Sequence, residues 1–94
     1  MILFCEYSVP DTYRKAFLEW AYEHADLWRN AEWLENTEQP GVFVEIWRVR
    51  DKDEANRIKK ERLDERSGWR EMDGWVKGGL NGLRLWTFTD VRKE

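Results

Sequence analysis

Residues 32–49, EWLENTEQPGVFVEIWRV, decide how this chain folds. Their second half, 42–49, is mostly β-branched and aromatic, the side chains that suit a half-buried pleated surface. Glu38-Gln39-Pro40-Gly41 separates the halves, and Pro-Gly fits the middle of a turn because Pro fixes φ while Gly tolerates positive φ. The spacing predicts a hairpin of residues 32–37 with residues 42–49. If it turns at Pro40-Gly41 without a bulge, Asn36 opposes Glu45 and Leu34 opposes Trp47, all on one face.

Upstream, residues 2–9 (ILFCEYSV) read as a strand that Pro10 stops. Asp11 or Thr12 is placed to cap the helix that follows, which is expected to run to about Arg29. Tyr13, Phe17, Trp20, Ala21, His24, Leu27, Trp28 and Ala31 recur at steps of three and four, one broad apolar stripe at roughly 100° per residue. Downstream, Asp51 or Asp53 caps a second helix to roughly Arg66, broken by Gly68. Its apolar face is sparse: Ala55, Ile58 and Leu63, with Arg62 and Arg66 close to the same side. Its charge run reads as a solvated face, with Arg57 and Lys60 spaced to pair with Glu61 and Asp64. Residues 67–82 read as a short helical turn and a glycine-rich loop, and residues 83–89 (LRLWTFT) as the last strand.

The order βαββαβ, without repeat or linker, makes residues 1–94 one α+β domain. Right-handed crossovers favour the ferredoxin-like arrangement, a four-stranded antiparallel sheet with both helices on one face. Aromatic and aliphatic residues occur at both parities of the third and fourth strands, so the face without helices also needs cover. A second copy of the sheet is the simplest supply.

Composition limits function. The chain is 41% hydrophobic and 37% charged, which describes a folded protein. With a net charge of −3 and no basic stretch to neutralise phosphates, nucleic-acid binding is not expected. The single cysteine, Cys5, rules out an internal disulfide or a cysteine-rich metal cluster and reads as an inert strand residue. The apolar start meets Glu6 at once, so no secretory signal is expected, and no run reaches the ~18 apolar residues of a membrane span. The cytosol is the expected compartment.

Seven tryptophans suit a core, an interface or an aromatic pocket alike. In a pocket reading, Trp20, Trp47 and Trp86 shape the walls, and Asn36 adds a polar contact. His24, on the first helix's apolar stripe, is either a general acid or base or a core histidine bonded to a neighbouring carbonyl or carboxylate. Glu6 and Glu45 either enter the pocket, where desolvation would raise a carboxylate's pKa and suit it to base catalysis, or face the barrel between subunits and pair with Arg48, Arg84 or water. Strand parity separates Glu6 from Tyr7. Residues 74–82 form either a lid tipped by Trp75 or an ordinary connection, and as a phosphate cradle they lack the motif. Arg62 and Arg66 either grip an anion or pair with the many glutamates. Serine-hydrolase and zinc chemistry lack their residues.

Met1 to Pro10, the amphipathic helix after it, the PGVFVEIW hairpin and the closing LRLWTF strand resemble the dimeric α+β barrel superfamily. The resemblance implies a homodimer paired sheet to sheet and, in many members, a pocket between the sheet and the helices of each subunit. It includes the antibiotic-biosynthesis monooxygenase type, which works without a cofactor on a phenol or quinol that itself reduces oxygen. The haem-degrading branch places a histidine late in the chain and a polar strand residue near the start; Glu6 stands near the latter position, but no histidine follows His24. The expected function is therefore an enzyme-like protein that takes a small apolar or aromatic ligand, with no cofactor, or a non-catalytic homodimeric module binding a ligand or partner.

Overall fold

The computed structural model describes residues 1–92. Its elements run β1 (Ile2–Ser8), α1 (Asp11–Glu23), β2 (Ala31–Glu35), β3 (Val42–Arg48), α2 (Lys52–Leu63) and β4 (Arg84–Phe88). Short 3-10 turns at Ala25–Trp28, Gly68–Gly74 and Gly79–Gly82 fill the connections. The strands form one antiparallel sheet in the order β2-β3-β1-β4, an α+β arrangement compatible with the ferredoxin-like fold. No helix among the described residues is long and apolar enough to cross a membrane.

Strand alternation divides the sheet cleanly. Leu3, Cys5 and Tyr7 of β1 and Phe43, Glu45 and Trp47 of β3 are buried, while their neighbours in sequence are only partly covered or exposed. Both helices lie on the buried side. From α1, Phe17 meets Tyr7 and Phe43 with ring centroids 6.3 and 5.3 Å apart. From α2, Arg62 bonds Glu45.

The opposite face carries Leu34 of β2, Val44 and Ile46 of β3, Ile2 and Phe4 of β1, and Trp86 and Phe88 of β4. Leu34, Trp86 and Phe88 are each about half exposed (49%, 49% and 51%). Phe4 stacks on Trp86 and meets Phe88 edge-on, so the apolar surface is continuous across β1 and β4.

Three expectations shift. Neither Asp11 nor Thr12 caps the first helix, whose N-cap is Pro10 with no side-chain bond. The first helix ends at Glu23 rather than near Arg29, because His24 leaves helical geometry at φ −122°, ψ 33°. The 3-10 turn that follows carries Trp28 into the core. The hairpin register also differs: Trp33 opposes Glu45 and Ala31 opposes Trp47, while Leu34 opposes Val44 on the uncovered face. The turn begins earlier than Pro-Gly suggests. Asn36 Oδ1 accepts the N–H groups of Glu38 and Gln39, and Asn36 N–H bonds the Val42 carbonyl, so the ladder closes there. That three-residue shift exchanges the two faces of β2.

The loop is fastened to the body at both ends. Glu35 accepts two bonds from Arg14 of α1 and one from Gly41 N–H, and the Arg14 guanidinium holds its carboxyl below the usual carboxylate range. Gly41 adopts φ +96°, and a Cβ there would lie 2.6 Å from the Val9 carbonyl oxygen, part of a backbone that cannot step aside. Gly41→Ala is therefore expected to lower stability by about 2 kcal/mol, read as a shift in urea midpoint; an unchanged midpoint would refute the constraint.

Candidate functional site

The centre of the buried face is a charged pair sealed in aromatics. Glu45 and Arg62 are both 0% exposed. Arg62 Nη2 and Nε donate to the two carboxylate oxygens at 2.7 and 3.1 Å, the two-pronged geometry that suits guanidinium to carboxylate. Three further donors converge on Glu45: the Tyr7 hydroxyl at 2.6 Å, Trp28 Nε1 at 3.1 Å and Trp47 Nε1 at 3.0 Å. Trp33 Nε1 in turn donates to the Tyr7 oxygen at 3.0 Å. The Arg62 guanidinium lies 3.8 Å from the Trp69 ring centre and 5.7 Å from that of Tyr7, so its flat faces are also occupied. Its Nη1 finds no hydrogen-bonding partner among the described residues.

Five donors fill the acceptor positions of one carboxylate. Such a group organises its neighbours; it has no free lone pair with which to take a substrate's proton. The electrostatics agree. Burial alone would lower the Arg62 pKa, but the charge and hydrogen bonds of Glu45 outweigh it and hold the guanidinium above its ordinary value. Burial, with the charge of Glu45 added, pushes the Tyr7 hydroxyl and the Cys5 thiol well above their ordinary values. All three groups keep their neutralising partners or their protons.

The other expected site residues scatter. Glu6 opposes Val44 and Arg84 across the sheet and lies on the face away from Glu45. Trp86 is on that same uncovered face, and Asn36 is used up in the turn. His24 sits at the exposed end of α1, its Nδ1 2.8 Å from the Trp20 carbonyl and its ring stacked on Trp20 at 4.9 Å. Trp20 and Trp75 pack together and against Phe17, which also touches Trp28 and Trp33. Side chains thus occupy much of the layer between sheet and helices. Arg62, expected to grip an anion or pair with a glutamate at the surface, pairs with Glu45 but buried, and Arg66 is exposed beside Asp64.

A cleft of about 710 Å³ lies elsewhere. It forms where β1, β3 and β4 meet the loop after Trp75, lined among others by Glu6, Ser8, Val42, Lys77, Asn81 and Arg84. No group of three or more His, Cys, Asp or Glu side chains among the described residues is placed to hold a metal ion. The chain matches no protein-family model, no curated protein and no solved structure.

Proposed function

We propose that this chain is a homodimeric small-molecule-binding module, paired sheet to sheet in the manner of the dimeric α+β barrels. The observation that carries this reading is the uncovered sheet face. It is apolar through Leu34, Val44, Ile46, Phe4, Trp86 and Phe88, and a patch of this kind normally marks an interaction site.

Its charges favour a second copy as the occupant. Glu32 faces Arg48 at 3.2 Å on one side of the band, and Glu6 faces Arg84 at 3.8 Å on the other. Each acid is neutralised beside it, so two copies of a chain with net charge −3 can meet here without like-charge repulsion.

Binding is favoured over catalysis by the saturated Glu45. A monooxygenase-like activity would have to use His24, the solvent-reachable imidazole stacked on Trp20. It would show as oxygen uptake with a phenol or quinol that His24→Ala abolishes.

Sedimentation equilibrium tests the dimer. The wild type is expected at twice the chain mass, and Trp86→Glu is expected to weaken association at least about a hundredfold, roughly 2.7 kcal/mol, by placing an unpaired charge in the apolar band. A wild type that stays monomeric at high micromolar concentration would sink the reading.

A further inference from the structure

The cleft lies at the end of the sheet and reaches its uncovered face. Glu6 and Ser8 of β1, Val42 of β3 and Arg84 of β4 line the cleft, and all four occupy the strand positions that alternate with the buried ones. Lys77 is held at its wall by a backbone bond, its N–H donating to the Ser8 carbonyl at 2.8 Å. The loop beyond it is fixed rather than slack. Asp73 Oδ1 accepts Leu80 N–H at 3.0 Å, and a Cβ at Gly82 would collide with the Lys77 carbonyl. Gly78 and Gly79 turn it with φ of +82° and +66°.

We infer that this cleft is a site for a small anion, a carboxylate or phosphate carried by a hydroxylated or amidated molecule, and that a second copy of the chain closes it. The inference rests on the dimer reading above. Lys77 and Arg84 set two positive charges against the one negative charge of Glu6, a local excess of +1 on a molecule of net charge −3. Ser8, Gln39 and Asn81 add hydroxyl and amide groups that can bond the uncharged part of a ligand. The volume suits a metabolite-sized molecule, since such sites run to roughly 300–1,000 Å³. Glu6 lies 3.8 Å from Arg84, beyond hydrogen-bond reach, so the largely exposed guanidinium can turn its N–H groups to a ligand. Open on the face that the partner covers, the cleft lacks a wall in one copy alone.

A ligand that needs both copies must tighten their association by the same factor that association tightens its binding. Inorganic phosphate and acetate serve as probes, each at constant ionic strength set with chloride, followed by amide NMR shifts and by sedimentation equilibrium. Shifts are expected to concentrate at Lys77, Gly78 and Asn81. The apparent affinity should fall at least tenfold in Lys77→Ala/Arg84→Ala, and the dimer dissociation constant should fall severalfold at saturating probe. A stronger response to one probe identifies which anionic group the site prefers. A wild type that sediments as a dimer but gives no localised shift with either probe overturns the site and leaves the dimer standing. Equal affinity in monomeric Trp86→Glu overturns the sharing between copies. A wild type that is monomeric with and without probe overturns both readings together.

Discussion

Arg62→Met is expected to remove about 3–5 kcal/mol of folding stability and to lower the melting temperature by ~15–25 °C. The substitution keeps much of the side-chain volume over Trp69 but strips the Glu45 carboxylate of its counter-charge while it stays fully buried. Tyr7, Trp28 and Trp47 still donate to it, which softens the loss without neutralising the charge. Against a domain stability of order 5–15 kcal/mol, the variant stands near the unfolding threshold at body temperature. Glu45→Leu should cost more than Arg62→Met. It leaves Arg62 as an uncompensated buried cation and deprives the Tyr7 hydroxyl and two indole N–H groups of their acceptor. For the same reason the double variant Glu45→Leu/Arg62→Met should not return to wild-type stability, in contrast to ion pairs that an apolar pair replaces without loss. Arg62→Lys should recover only part, since an ammonium cannot form two parallel bonds and lie flat on Trp69 at once. Guanidinium unfolding at one fixed protein concentration ranks the four variants. An Arg62→Met loss below about 1 kcal/mol would mean that water reaches Glu45, contrary to the sealed pair.

How much of this was legible in the sequence depends on the element. The βαββαβ order follows from local texture: β-branched and aromatic strands, a 3.6-residue stripe in α1, and turn residues between them. Glu45 stood out as a carboxylate among the aromatics of VFVEIWR, although its parity left open which face it takes. Its partner did not. Arg62 lies in a run of charges that reads as solvated surface, and Arg57, Glu54 and Glu61 of that helix do pair at the surface. The spacing Ala55, Ile58, Arg62, in steps of three and four, does set Arg62 near the apolar side, but it does not say which acid it meets there. The indoles gave a second signal, since several buried Trp N–H groups need acceptors and few buried acceptors were on offer.

Hairpin register and helix end were less legible because each is decided by one side chain outside the pattern. Asn36 folds its oxygen onto two backbone N–H groups and starts the turn early, and the resulting shift moves Leu34 from the expected inner face to the uncovered one. His24 continues the stripe in spacing, yet the chain abandons helical geometry there, so the imidazole ends at the rim. Tertiary closure, with Trp28 swung in to stack 4.3 Å from Trp33 and to bond Glu45, outweighs two more turns of helix. Six elements were therefore readable where the chain argues with its own neighbours, and the Glu45–Arg62 centre was hidden because its partners are 17 residues apart.

The same centre sets how the protein fails in alkali. Cys5 and Tyr7 point into it, and burial beside the Glu45 charge holds both in their protonated forms well above their ordinary values of 9.0 and 10.0. The folded chain therefore retains these protons at a pH where the unfolded chain has released them. Stability is whole below about pH 9 and falls as pH rises, by ~1.4 kcal/mol per unit for each group once its unfolded counterpart has ionised. Between pH 9 and pH 11 both groups add to the loss, the thiol first because its unfolded counterpart ionises at the lower pH. Urea midpoints measured across that range should show the slope steepening near pH 10. Cys5→Ala should delay its onset to pH 10, and Tyr7→Phe should leave only the shallower thiol-dependent part, on a lower plateau because the bond to Glu45 is gone. Iodoacetamide provides an independent reading: Cys5 should alkylate at pH 9 only through opening of the fold, so destabilising variants such as Arg62→Met should speed labelling by about tenfold per 1.4 kcal/mol lost where opening is in equilibrium. Rapid labelling of the wild type under native conditions, or stability that stays flat through pH 11, would place Cys5 and Tyr7 in contact with water and separate them from the buried charge.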